Sequence, residues 1–559
     1  MSPYPLRPRP ALAGLAILAA ALFLQAGLGA REWPPPAARQ ASAAVEDRVN
    51  EIFSKWTGET PGCAVGVASD GRVVLEKAYG LANLEHDVRN RRDTIFEAGS
   101  ISKQFTAAAV LLLAHDGKLS LDDPVRKYIP ELPDYGTPLT IRHMLTHTAG
   151  LRDWGSVAAL GGWPRTTRAY THAHVLDIAA RQRALNFAPG TNWSYSNTGY
   201  NLAVILVSRV AGQSFAEFCS KRLFEPLHMR HTSWRDDHTR VVKARAAAYA
   251  EGKEGYRTLM PFENVHGNGG LLTTVGDLLR WNDHLDSPGR DAAAFRQLQE
   301  PARLETGQTL DYAFGLFVRK HKDVDEVAHS GTTAGYTAYL ARYPGKRLSV
   351  AVLCNLNSIP APAYAHAVAD LFLGTAGPPA PRRAAAAPAG APSLEGRTGL
   401  YRHVVTGRPM TITADKSGLR LNGVPLVPIS PVQLESADGS RAVEFDAGSG
   451  AVLRLANGMR ERYERVQAAR PTVEDLEAFT GLYVSEEAET GFQVVVQNGE
   501  LRMWRRPNAE FVLAPVYADG FTAPGLGIIR FFRAEGRVVE MGISDDRVWD
   551  LRLQRVGTK

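Results

Sequence analysis

The sequence predicts an α+β domain built round one antiparallel sheet, followed by a duplicated antiparallel β region of barrel-like form. Three observations predict this. Strand-like apolar runs stand at both ends of the span 45–373 with helical periodicity between them; an Ala/Pro/Gly stretch interrupts the chain at 374–392; and beyond it one motif recurs at a fixed offset.

Within 45–373, a helix is expected over 45–56. The runs 63–68 and 73–79 flank Asp70-Gly71, a dipeptide that suits a tight hairpin turn. A second β unit closes the domain: 336–343, the turn Pro344-Gly345-Lys346, then 348–353. Helices are expected over 101–114, ending at Gly117, and over 202–210, ending at Gly212. The sheet therefore draws its strands from both ends of the domain. The stretch 374–392 is almost all Ala, Pro, Gly and Arg, cannot bury a core, and reads as a linker.

Past the linker, Leu394-Glu395-Gly396-Arg397-Thr398-Gly399-Leu400-Tyr401 is echoed by Leu476-Glu477-Ala478-Phe479-Thr480-Gly481-Leu482-Tyr483. Leu419-Arg420-Leu421 is echoed by Leu501-Arg502-Met503 at the same spacing. The copies, 393–468 and 474–556, each have room for six to eight short strands, as two small barrels or one shared between them. The expected role is accessory, without chemistry; shaping the active site is the alternative.

At the N-terminus, Arg7 and Arg9 precede an apolar run over 11–24 and then Gly27, Gly29 and Ala30, the order of a secretory signal peptide over 1–30. Export to a bacterial periplasm is expected, with an uncleaved inner-membrane anchor as the alternative. A formal charge of +6 over 559 residues is mild and argues against nucleic acid as a partner. The three cysteines, Cys63, Cys219 and Cys354, are too few for a disulfide framework and lack metal-ligand spacing; Cys63 and Cys354 lie in apolar runs and read as small buried thiols.

Chemistry concentrates in three places. Ser100 stands at the head of an apolar helix with Lys103 one turn on, so the amine can reach the hydroxyl, and burial would lower its pKa enough to act as a base. The polar loop Trp193-Ser194-Tyr195-Ser196-Asn197 opens into a helix; Tyr195 can relay a proton to a leaving group and Asn197 can hold both substrate and Lys103. The run His329-Ser330-Gly331-Thr332 enters the closing β unit, where small residues admit a substrate backbone and the Thr332 amide can join that of Ser100 in an oxyanion hole.

In this order, Ser-x-x-Lys, Tyr-x-Asn and His-x-Gly, the motifs resemble those of the class C β-lactamase and penicillin-binding-protein superfamily of serine hydrolases (peptidase S12-like). Phrases such as Gly117-Lys118-Leu119-Ser120-Leu121-Asp122-Asp123-Pro124 and Gly269-Gly270-Leu271-Leu272-Thr273-Thr274 add to the resemblance. It implies a β-lactamase/transpeptidase-like domain, Ser100 as acylated nucleophile, Lys103 and Tyr195 as the acid/base pair, Asn197 as a substrate-positioning residue, and His329, Gly331 and Thr332 along the substrate-binding strand. His329 replaces the Lys of lactam-hydrolysing relatives, and a largely neutral imidazole anchors a lactam carboxylate poorly. The layout is similar to D-aminopeptidases, which also carry two C-terminal β-barrels, and to esterase relatives. The expectation is an exported hydrolase of small D-amino-acid peptides or amides. An esterase or weak β-lactamase is one alternative, and a catalytically weak protein that binds peptidoglycan or penicillin is another. No cofactor is called for. His143 and His147, four apart, have the spacing of a metal pair but no accompanying Glu or third ligand, and read as a structural helix end.

Overall fold

The computed structural model describes residues 36–375 and 396–557, apart from 416–417, 431, 437–438, 447–449 and 456–458. The signal segment at 1–30 and most of the linker lie outside the described residues. Residues 1–47 form a unit of their own, described only from the helix Pro36–Ile52 onward. The second unit, Arg48–Lys559, holds the sheet domain and both repeats.

Strands β1 (Cys63–Ser69) and β2 (Arg72–Tyr79) form the expected hairpin, with Asp70 and Gly71 both at positive φ in the turn. Helix α1 (Ser102–His115) is buried from Ser102 through Leu113, and α2 (Trp154–Leu160), α3 (Asn197–Ala211) and α4 (Val275–Asp286) come after it. Strands β3 (Phe317–His321), β4 (Val324–Thr333), β5 (Tyr336–Tyr343) and β6 (Leu348–Cys354) then lead to helix α5 (Ala361–Leu373). The sheet order is β3-β4-β5-β6-β1-β2, so strands from the two ends of the domain meet at β6 and β1. Helices cover both faces. Tyr79 stacks on Phe53, which packs on Tyr364 of α5, whereas Glu76, three residues back and so on the opposite face, lies against Gly276 of α4.

The β1–β6 junction overturns one expectation. Cys63 and Cys354 are register partners across it and form a disulfide, so they are not the free thiols their apolar surroundings suggest. A separation of 291 residues hid a pairing that only the assembled sheet creates. Cys219 is the buried free thiol. Among the described residues, no single helix is long and apolar enough to cross a membrane.

The repeats are two closed eight-stranded antiparallel barrels, running from Gly399–His403 to Arg460–Val466 and from Gly481–Ser485 to Leu551–Val556. Their likeness extends to detail. The Tyr401 hydroxyl donates to the Arg397 carbonyl at 2.9 Å, and Tyr483, in the second copy, donates to the Phe479 carbonyl at 2.9 Å. The second barrel is docked on the sheet domain. Trp154, Val157 and Leu160 of α2, with Tyr170 and Val175, share one apolar cluster with the barrel residues Tyr483, Phe492 and Val548. Each such buried side chain contributes about 1.5–3 kcal/mol. The buried Arg152–Glu487 pair at 2.6 Å spans the seam, and Arg505 donates to the Ala159 and Leu160 carbonyls at the C-terminal end of α2.

Candidate active site

Ser100 sits in the single turn Gly99–Ile101 that leads into α1. This turn runs against β4 so closely that a Cβ on Gly331 would stand 2.0 Å from the Ala98 carbonyl oxygen. A Cβ on Gly99, which has a φ of +53°, would stand 2.6 Å from the Thr332 nitrogen. Only glycine fits either place. The close approach puts Ser100 and Thr332 on one cavity wall. Because β3 pairs with β4 only as far as Ala328, the segment Ser330–Thr333 presents a free strand edge there.

Lys103, on α1, is fully buried, and its Nζ lies 3.2 Å from Ser100 Oγ. The same nitrogen donates to Asn197 Oδ1 at 2.9 Å and to the Asn268 carbonyl at 2.9 Å. Asn197 opens α3, and Asn201, one turn later on the same face, donates to Asn268 Oδ1 at 2.7 Å, so α3 orients both acceptors. Burial, then the charges of Arg547 and Arg165, hold the Lys103 pKa well below its ordinary value, with Asp153 opposing. A neutral amine has two hydrogens and one lone pair. With both hydrogens taken by Asn197 and Asn268, the lone pair is left for the Ser100 hydroxyl.

Tyr195 lines the cavity beside Ser100, and its ring centroid lies 4.7 Å from Lys103 Nζ. Burial pushes the phenol far above its ordinary value, with the nearby Ser100 side chain and Arg547 opposing, so it stays protonated. Tyr195 therefore suits a proton relay, whereas Lys103 suits the base.

His329 is buried with both nitrogens committed. Burial, then the Lys103 charge, brings its pKa down to about 3, so the ring is neutral at ordinary pH. Its Nδ1 lies 2.6 Å from the Ser330 carbonyl and must donate there, which leaves Nε2 to accept from Tyr312 Oη at 3.4 Å. Tyr312 Oη in turn accepts from His147 Nε2 at 3.1 Å, because His147 Nδ1 accepts from the Ser196 amide at 3.2 Å. A directional chain thus ties the Tyr195 loop to β4. His329 holds the strand and has no N–H to spare for a substrate anion.

A cavity of about 390 Å³ brings Ser100, Tyr195, Asn197, His329 and Thr332 together; Lys103 lies beneath it and Gly331 shapes its wall. It also has a rim that no motif in the sequence marks. Arg165 reaches in from the loop after α2, paired with Glu263. Arg547 reaches in from the second barrel, its guanidinium 5.1 Å from the Tyr195 ring centroid and 3.9 Å from Asp153. Asp153 is buried, caps α2 through the Ser156 amide and accepts from the Asn197 amide at 2.7 Å. The Asp153 and Asn186 side of the domain also holds the Arg547 main-chain carbonyl, through the Asp153 amide at 3.3 Å and Asn186 Nδ2 at 3.0 Å. The expectation that the β region stands apart from the chemistry is therefore corrected: its second barrel supplies part of the active-site wall. His147 is also more than a helix end, since its ring packs 4.3 Å from that of Tyr195.

Residues 41–374 match the family model described as Beta-lactamase. The chain belongs to the β-lactamase family. Within it, the chain is 29% identical over 556 residues to a D-aminopeptidase of Gluconobacter oxydans (strain 621H), covering 92% of this chain and 99% of the relative. A D-aminopeptidase of Cereibacter sphaeroides (strain ATCC 17023) is 26% identical over 451 residues, covering 78% and 82%. The fold is shared with the octameric penicillin-binding protein homologue from Pyrococcus abyssi, at a TM-score of 0.53, 24% identity, and coverage of 75% and 99%. This β-lactamase-family chain is a serine hydrolase. Its Ser-x-x-Lys, Tyr-x-Asn and His-x-Gly motifs come from three separate elements and meet at one cavity. Asp153, Arg165, His147, Asn268, Tyr312 and Arg547 join them only through tertiary packing.

Proposed function

We propose that the chain is an exported hydrolase that works through a Ser100 acyl-enzyme on peptides or amides of D-amino acids. The observation that carries the mechanism is the Lys103 amine, buried, with two acceptors for its two hydrogens and Ser100 Oγ at 3.2 Å. In this reading Lys103 takes the Ser100 proton as Oγ attacks the carbonyl carbon. The amides of Ser100 and Thr332 stabilise the oxyanion, and the partial positive charge at the head of α1 assists. Tyr195 gives its proton to the departing amine and takes in its place the proton that Lys103 drew from Ser100. Water then repeats the sequence in reverse, attacking the ester and returning the proton to Ser100.

The D-aminopeptidases that align over most of the chain support D-amino-acid substrates. The lack of a free N–H on His329 speaks against efficient lactam hydrolysis. The Cys63–Cys354 disulfide supports export, because such bonds persist in oxidising compartments. A turnover panel tests the substrate reading: D-Ala and L-Ala p-nitroanilides, p-nitrophenyl esters, D-Ala-D-Ala and nitrocefin with the purified protein. The D-anilide is expected to exceed both the L-anilide and nitrocefin by tenfold or more in kcat/KM. Preference for the L-anilide or for nitrocefin overturns it.

A further inference from the structure

A second cavity, of about 420 Å³, adjoins the Ser100 cavity and shares Trp193, Tyr195 and Arg547 with it. Apart from Ser194, its remaining walls come from both barrels, among them His403, Thr406 and Arg408 from the first, and Ile528, Asp545 and Trp549 from the second. Each cavity falls in the ~300–1,000 Å³ range of sites that bury a drug-sized ligand, more than the amide nitrogen of a single amino-acid amide can fill.

Its place beside Tyr195 suggests what it holds. In the mechanism above the leaving group departs toward the proton donor, and the donor is Tyr195. The acyl half of a substrate lies along the β4 edge with Ser100, and the leaving half must pass Tyr195 and Arg547. We infer that the second cavity is a leaving-group subsite for a peptide of at least two residues, built by the catalytic domain and both barrels together. This rests on the D-peptide reading above and extends it to substrate length.

The wall chemistry suits a peptide with an apolar side chain. Trp193, Ile528 and Trp549 supply apolar area, with Thr406 as a polar neighbour. The charges of the first-barrel side are matched internally: Arg408 pairs with Glu461 and lies 3.7 Å from Asp546. Asp545 accepts from the Arg547 and Val548 amides at 2.7 and 2.6 Å. Arg547, at the boundary, is placed to donate to a peptide carbonyl crossing from one cavity to the other.

Ile528 tests the assignment. It alternates with Ile529, which faces the barrel interior, so its side chain faces outward to the cavity and can be enlarged without repacking the barrel core. The experiment measures kcat/KM for D-Ala amide, D-Ala-Leu and D-Ala-Leu-Leu with the wild-type chain and with Ile528→Trp, each active-site-titrated with a fluorophosphonate. The wild type is expected to favour the tripeptide over the amide by at least tenfold, and Ile528→Trp to cut that ratio at least fivefold. Turnover of the amide with no gain from length overturns the subsite alone, as does a ratio unmoved by Ile528→Trp. Absence of turnover on all three overturns the D-peptide reading and the subsite with it. The wild-type ladder stands even if the variant fails to fold.

Discussion

Arg547 reaches the active site from a barrel at the far end of the chain, and its charge is the largest electrostatic contribution, after burial, to the lowered pKa of Lys103. Replacing it with Gln removes that charge and lets the Lys103 pKa rise. The base form of Lys103 exists only above that pKa, so the acid limb of Ser100 reactivity moves to higher pH. The size follows from the Tyr195 ring, which both groups approach. Lys103 Nζ lies 4.7 Å and Arg547 Cζ 5.1 Å from its centroid, so the charges are at most about 10 Å apart. At an effective dielectric of about 20, that separation gives roughly 1.7 kcal/mol. The Arg547 side chain is 43% exposed, and discounting for solvent screening leaves a shift of about 0.5–1 pH unit. The loop itself should hold, because Asp153 and Asn186 bind the main-chain carbonyl of residue 547. The assay is the second-order rate of fluorophosphonate labelling from pH 5 to 10, with a reagent that does not itself titrate. An acid limb that stays in place or moves to lower pH refutes the electrostatic argument.

Tyr312→Phe leaves the His147 N–H and His329 Nε2 without partners, a cost of about 1–3 kcal/mol; kcat/KM is expected to fall about tenfold, and a value within twofold of wild type contradicts the chain. The double variant Cys63→Ala/Cys354→Ala releases a 291-residue loop and is expected to lose about 2–4 kcal/mol, read by chemical denaturation, whereas an unchanged midpoint rules out a contribution from the disulfide. Glu487→Ala strands the buried Arg152 guanidinium at the barrel seam, costing about 3–5 kcal/mol. Limited proteolysis is expected to cut the second barrel faster, and no change in cleavage rate argues that the seam is held without the pair.

Local chemistry is readable in the sequence. Asp70-Gly71 marks a turn wherever it falls between apolar runs, and Ser-x-x-Lys at a helix start carries its own geometry, so the hairpin, α1 and the β5–β6 unit emerge with their ends displaced by a residue or two. The repeat discloses the barrels because an offset needs no three-dimensional information, though it leaves open whether they are one or two. Long-range pairings are not readable. Cys63 meets Cys354 only because β1 and β6 are neighbours in the assembled sheet. Arg547 meets Tyr195 only because the second barrel docks on α2. His147 reads from sequence as a mere helix end because spacing alone cannot reveal that its nitrogens are turned to Ser196 and Tyr312.

The central claim is that a neutral, buried Lys103 activates Ser100. It is tested most directly by the rate and site of fluorophosphonate labelling in the wild-type chain and in Lys103→Met, which keeps the length of the side chain and removes the amine. The adduct is expected on the peptide containing Ser100, with a rate at least 100-fold lower in Lys103→Met at an unchanged melting temperature. Labelling of another residue, or a Lys103→Met rate within a few-fold of wild type, would contradict it.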